Sequence, residues 1–163
     1  MTEIINIPGG RGATQATLNV MARLASAAAL SMQFRNRMAD LMLSFFPGNP
    51  AGYVAAAVAY VQSSVKIVDE PDEIIQAPGF LLDEIDKGRA FGDCDDMVTL
   101  AVAIVKTAGI PVRFKAVFPH ETEGYYRHVI LEWFSIMDGY WHPVDVTPDG
   151  GLLYPRDYLI KEV

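Results

Sequence analysis

Apolar positions recur at helical spacing in the first two thirds of the chain and alternate in the last third. From Cys94, the residues Met97, Leu100, Ala101, Ile104, Val105 and Ala108 fall at i, i+3, i+4, i+7, i+8 and i+11, one apolar face of a helix. Gly109 is placed to end that helix, and Pro111 prevents its continuation. Val112, Phe114, Ala116 and Phe118 then alternate with Arg113 and Lys115, which predicts a strand. Tyr126 to Phe134 is rich in β-branched and aromatic residues and predicts a second strand. After a turn at Asp138-Gly139, Tyr140 to Thr147 predicts a third.

Upstream, Ala13 to Phe46 holds good helix formers without proline, and Pro47-Gly48-Asn49-Pro50 stops the run. A second helix is expected from Gly52 to about Lys66, a turn at Asp69-Glu70-Pro71-Asp72, and mixed structure from Glu73 to Gly92, broken at Pro78-Gly79 and Gly88. Residues 1–12 end in Pro8-Gly9-Gly10-Arg11-Gly12 and read as a flexible arm. Helices first and an antiparallel meander afterwards define an α+β class. We divide the chain into an N-terminal arm and helix over 1–50 and a catalytic domain over 51–163.

The formal net charge is -7, which disfavours phosphate backbones and therefore nucleic-acid partners. The longest apolar stretch, near Leu24–Met32, is too short and alanine-rich to span a bilayer, and Met1 to Gly12 lacks the order of a signal peptide. A soluble protein, cytoplasmic or phage-associated, is expected. With one cysteine, neither an internal disulfide nor a multi-cysteine zinc site can form.

That cysteine opens the clearest helix, where backbone N–H groups stabilise an anion. Thiol catalysis also needs a base within hydrogen-bond reach and a group that holds the base in one tautomer. His128, early in the second strand, and Asp145, late in the third, can supply them from neighbouring strands. His120 lies in a polar loop, and His142 alternates to the face opposite Asp145, so His128 is the stronger base. The acids Asp93, Asp95 and Asp96 raise a thiol pKa, and the ion pair with His128 is expected to outweigh them.

Register tests the idea. A two-residue turn at Asp138-Gly139 pairs Met137 with Tyr140 and sets Asp145 opposite Glu132, four residues or roughly 13 Å from His128. The triad therefore requires a longer connection, over about Phe134 to Gly139, and pairing near His128–Asp145.

Four pieces resemble the transglutaminase-like superfamily in order and spacing. They are Gly92-Asp93-Cys94-Asp95-Asp96, Ala108-Gly109-Ile110-Pro111-Val112-Arg113, His128-Val129-Ile130-Leu131-Glu132, and Trp141-His142-Pro143-Val144-Asp145-Val146-Thr147-Pro148. Ile75-Gln76-Ala77-Pro78 is similar to the Ile-Gln-x-Pro segment of the small phage and bacterial members. The resemblance implies a papain-like core, with the cysteine helix packed on an antiparallel sheet. It implies acyl transfer from an amide through a thioester on Cys94, giving peptidase or amidase hydrolysis, deamidation or crosslinking, of which hydrolysis is favoured. A protein or peptide substrate follows, and no cofactor. Where the family often carries an aromatic residue two after the histidine, this chain has Ile130.

The backbone N–H of Cys94 is the first candidate oxyanion donor. Gln76 is a second, by analogy with the papain-like glutamine. Tyr126 and Trp141 are candidates to line the substrate cleft, although for Trp133 and Trp141 a place in the core is the stronger reading. Asp93 is a good N-cap, and Asp95 complements the helix dipole; this outweighs a calcium role for Asp93 and Asp95, the metal alternative. The methionine-rich N-terminal helix, with Met21, Leu24, Met32, Met38, Leu41, Met42 and Phe45, is expected to pack on the domain. Docking or homo-oligomerisation through it is the alternative. The competing reading of the whole chain is a binding or phage morphogenesis module that keeps the fold without turnover.

Overall fold

The computed structural model describes residues 2–4, 11–43, 48–68, 74–118, 128–147 and 157–163. Helix α5 (Cys94–Thr107) runs through the centre. Asp93 caps it, its carboxylate accepting the N–H groups of Asp95 at 2.9 Å and Asp96 at 3.3 Å. Gly109, at φ +73°, ends it in the left-handed conformation that favours glycine. The periodicity marked one apolar face, yet Val98, Val102 and Ala103, off that face, are also fully buried. The helix is encased: strands β5 (Val112–Phe118) and β6 (His128–Ser135) lie on one side, and helices α1 (Arg11–Leu30), α3 (Pro50–Ser64) and α4 (Pro78–Asp86) touch it elsewhere. A helix apolar all round needs such cover.

The main sheet has four antiparallel strands in the order β7-β6-β5-β8, with β7 at Tyr140–Val144 and β8 at Asp157–Glu162. The α+β class and the helix-on-sheet core expected from sequence are both present. Tyr126, on the expected second strand, lies outside the described residues, as do His120 and the turn at 69–72.

The single long helix expected over 13–46 is two helices, α1 and α2 (Met32–Leu43), separated at Ser31. The Ser31 hydroxyl accepts the Phe34 N–H at 3.4 Å and so starts α2 as an N-cap. Leu18, Met21, Ala25, Phe34 and Met38 are buried in the same core as α5, whereas Leu30 and Met32, at the junction, stand out in solvent. The expected break at Pro78-Gly79 is instead the beginning of α4, because proline at the first helical position has no N–H to lose.

The flexible arm is corrected in part. Its residues Thr2–Ile4 form a strand, β1, antiparallel to β3 (Ile74–Gln76), with Thr2 opposite Gln76. A second pair joins β2 (Lys66–Ile67) in parallel to β4 (Phe91–Gly92), where Lys66 N–H donates to Ala90 O at 3.0 Å and Val68 N–H to Gly92 O at 3.1 Å. Both small pairs hold segments just upstream of Cys94.

Candidate active site

The β6–β7 hairpin decides whether His128 and Asp145 can meet. Its turn is residues 136–139, closed by Gly139 N–H donating to Ser135 O at 2.8 Å, with Ser135 opposite Tyr140 and Leu131 opposite Val144. Compared with a two-residue turn, this register slides by two residues. The longer connection is therefore real, but narrower than expected, since Phe134 and Ser135 remain paired. The next pair in the series would be Ile130 with Asp145. Instead the ladder stops at Val144, and the chain bends so that Asp145 Oδ2 lies 2.8 Å from His128 Nε2.

Thr147 fixes this carboxylate, and the sequence reading gave that residue no role. Its N–H donates to Asp145 Oδ1 at 3.0 Å and its hydroxyl to the same oxygen at 2.8 Å; the hydroxyl also lies 3.5 Å from His128 Nε2. The signal was the Asp-x-Thr spacing, which lets an aspartate bond the backbone two residues on. Burial pushes the Asp145 pKa up, but bonds from the His128 ring and from Thr147 outweigh it and hold the carboxyl below its usual range. Oδ1 is thus occupied by Thr147, and Oδ2 is directed at the imidazole.

With Nε2 engaged by Asp145, Nδ1 is the ring nitrogen left for the nucleophile. The Cys94 sulfur, half-buried at the head of α5, lies against the start of β6, where it accepts the backbone N–H of Val129, the residue after His128. Its S–H donates to Asp95 Oδ1 at 3.5 Å. Burial raises the thiol pKa most, the charges of Asp95 and Asp93 raise it further, and the Val129 N–H only partly opposes them. The sequence-based expectation that the imidazole would outweigh these acids is not met in this resting arrangement. The reason is local: Asp93 already occupies first-turn N–H groups, and Asp95, 3% exposed, brings its charge against the sulfur. Burial and the two carboxylates together favour the neutral thiol.

Gln76 and Asp96 form a separate buried unit. Asp96 is fully buried; its carboxylate accepts the Gln76 backbone N–H at 2.6 Å and the Gln76 Nε2 at 2.7 Å. Gln76 Nε2 also donates to Phe91 O at 2.9 Å. Both amide hydrogens of Gln76 are therefore engaged in tying β3 to β4 and to the first turn of α5, a bracing arrangement different from the oxyanion donor expected. Gly92 belongs to the same unit: a Cβ there would lie 2.7 Å from Asp96 Oδ2 and 2.8 Å from Asp96 Cβ. Of the first-turn N–H groups of α5, Asp93 takes those of Asp95 and Asp96 but not that of Cys94.

Trp141 stands opposite Phe134, six residues along β6 from His128 or about 20 Å. Its ring lies beneath the Arg113 guanidinium, 3.9 Å from the centroid. The structure does not bring it to His128 and Asp145, because the four-residue turn sets it at the far end of the hairpin. His142 stacks on Trp133, with ring centroids 5.0 Å apart, and pairs with Asp138 at 2.8 Å, so it stays apart from Cys94. Asp93, Cys94 and Asp95 bring one ligand atom each within 4.8 Å of one another. Calcium needs six to eight oxygens, and among the described residues this set offers two carboxylates, one of them already capping a helix, and a soft sulfur. The set does not fit calcium.

The site is that of an α+β protein carrying a cysteine at the head of a buried helix beside a histidine–aspartate pair on an antiparallel sheet. The model of the transglutaminase-like superfamily matches residues 44–146, more than half of the chain, and the protein belongs to that superfamily. No curated protein matches it in sequence. Among solved structures it is similar to a candidate protease from Parabacteroides distasonis, with a TM-score of 0.55 and 15% identity over 78% of this chain. The match spans 26% of that longer protein, and at this identity the likeness concerns the fold. No helix among the described residues is long and apolar enough to cross a membrane.

Proposed function

We propose that the chain is a cysteine-dependent amidase or peptidase that works through a thioester on Cys94. The observation that carries the reading is the His128 Nε2–Asp145 Oδ2 contact of 2.8 Å, formed where the Cys94 sulfur meets the start of β6. With burial and the two carboxylates favouring the neutral thiol, His128 acts as a general base during attack. The sulfur bonds to the amide carbonyl carbon as the thiol proton moves to His128 Nδ1. The carbon–nitrogen bond then breaks, and the imidazolium gives its proton to the departing amine. Water attacks the thioester, His128 takes the water proton, the carboxylate leaves, and the thiol is restored. Asp145 holds the ring and stabilises the imidazolium, in the manner of other nucleophile–base–acid triads. The Cys94 N–H serves the oxyanion. Transfer to an amine instead of water would give crosslinking by the same first half-reaction.

The test is turnover of a mixed fluorogenic peptide-amide pool, with acid quenching and mass spectrometry of the peptide containing Cys94. The expected result is an acyl adduct on Cys94 that is absent in Cys94→Ala and lost in His128→Ala. Turnover that survives Cys94→Ala, or a quenched enzyme that never carries an adduct, overturns the proposal and leaves a binding module.

A further inference from the structure

We infer that Phe91 is a specificity-determining residue, an aromatic platform beside Cys94 that selects a large apolar side chain on the acyl side of the substrate. This rests on the reading of Cys94 and His128 as nucleophile and base. Strand β4 carries Phe91 and Gly92 directly into Asp93, the cap of α5, and then into the nucleophile. Phe91 stands three positions before Cys94, so their Cα atoms are at most about 11 Å apart.

Alternation along the strand sets the direction of the ring. A Cβ at Gly92 would point at Asp96, which is fully buried, so that face of the segment is the inward one. Asp93 continues the extended backbone, with φ -95° and ψ -166°. Phe91 and Asp93, on either side of Gly92, therefore project to the opposite face. Asp93 shows where that face leads: one of its carboxylate oxygens lies within 4.8 Å of the Cys94 sulfur. Phe91 stands on the same face one strand repeat back, about 7 Å along the chain.

Phe91 is 53% exposed. The other large apolar side chains that stand exposed among the described residues do not share this placement. Ile67 is on β2, opposite Gly92, and the rest lie at the α1–α2 junction, at the tip of the β6–β7 hairpin and on β8. The backbone beneath the ring is also fixed. Phe91 O accepts Gln76 Nε2 at 2.9 Å, and the flanking carbonyls of Ala90 and Gly92 accept the N–H groups of Lys66 and Val68 at 3.0 and 3.1 Å. Three consecutive carbonyls are held, so a substrate meets a preorganised surface and does not have to order one.

Proton transfer fixes the side of the scissile bond. The leaving amine takes its proton from His128, which stands on the main sheet. Phe91 comes to the head of α5 from the separate β2–β4 pair. With the amine turned towards His128, the β4 side is left to the acyl chain. At about 3.3–3.6 Å per residue, the first or second residue before the scissile bond comes alongside Phe91. An aromatic pair formed there favours that substrate by about three- to tenfold.

Acetyl-dipeptide chloromethyl ketones test this with the full chain: one all-glycine, and two with a single phenylalanine, either at the residue that bears the ketone or at the one before it. Labelling displaces chloride and forms a carbon–sulfur bond to Cys94, read by mass spectrometry. Each rate is divided by that of the same probe with free cysteine. In the wild type, at least one phenylalanine probe is expected to label about threefold faster than the glycine probe, or more. That ratio falls below twofold in Phe91→Ala and persists in Phe91→Tyr. If Phe91→Ala does not fold, Phe91→Gln must show the same fall. Wild-type rates that are equal for all probes but well above those of His128→Ala overturn the Phe91 inference alone. Wild-type rates no faster than those of His128→Ala overturn the triad reading beneath it. A phenylalanine preference that survives both Phe91→Ala and Phe91→Gln, or that is lost in Phe91→Tyr, also overturns the inference.

Discussion

Replacing Gly92 by alanine tests how tightly the nucleophile's helix is braced. Gly92 has no positive φ among the described glycines that do, so its backbone suits any residue, and the effect of a substitution there is steric. The added Cβ would sit 2.7 Å from Asp96 Oδ2 and 2.8 Å from Asp96 Cβ, closer than such atoms approach. Asp96 cannot yield freely, since its carboxylate holds Gln76 through bonds of 2.6 and 2.7 Å. Overpacking alone costs about 1–3 kcal/mol. Loosening the Gln76 bonds adds about 1 kcal/mol or more. The sum, about 2–4 kcal/mol, corresponds to a melting point lower by roughly 4–16 °C for a chain of this size. Gly79→Ala is the control: nothing lies within 4 Å of its Cβ position, its φ is not positive, and it sits inside the first turn of α4. That variant is expected to gain about 0.4–1 kcal/mol. Urea titration of both variants, with calorimetry, measures the contrast. A Gly92→Ala protein that melts within a degree of wild type refutes the steric account, and with it the view of Asp96 as fixed.

Asp95→Asn keeps an acceptor for the Cys94 S–H but removes the adjacent charge, so the pH profile of iodoacetamide labelling is expected to move to lower pH; an unmoved midpoint contradicts the role given to the Asp95 charge. The thiol pKa is raised in the folded state above its ordinary 9.0, so the unfolded chain releases that proton first as pH rises. Stability should therefore decline above about pH 9 in wild type and less in Cys94→Ala, as followed by urea midpoints. Asp145→Asn should lower kcat by about 10²–10⁴-fold, while Thr147→Val, which keeps its N–H bond, should cost about 1 kcal/mol or roughly fivefold; equal losses in the two would disprove the division of labour between Oδ2 and Oδ1. Glu132→Ala removes the buried carboxylate that Arg113 and Lys115 share at 2.8–2.9 Å, leaving Arg113 its contact with Glu162 at 3.3 Å, and should destabilise by about 1–3 kcal/mol on chemical denaturation.

Cys94, His128 and Asp145 were legible as candidates because each is marked by local chemistry: a cysteine opening an amphipathic run, and a histidine and an aspartate on strands of clear alternation. The register argument also carried, since a hairpin's turn length fixes which residues face one another. Other features depend on tertiary partners. Ser31 is an unremarkable hydroxyl in an alanine-rich run until it receives the Phe34 N–H. Gln76 looked like an oxyanion donor because sequence shows an amide but not the buried Asp96 that binds it. The raised thiol pKa was missed for a similar reason: sequence places Asp95 beside Cys94 but does not reveal that the carboxylate is buried against a half-buried sulfur.

The pairing of Thr2–Ile4 with Ile74–Gln76 ties the start of the chain to the strand that carries Gln76. Closing a span of about 70 residues carries an entropic cost before any contact compensates it. A partly folded chain can already hold the central helix and the hairpin while Gln76 still lacks its neighbouring strand. In such a chain the sulfur is present but its surroundings are not yet fixed.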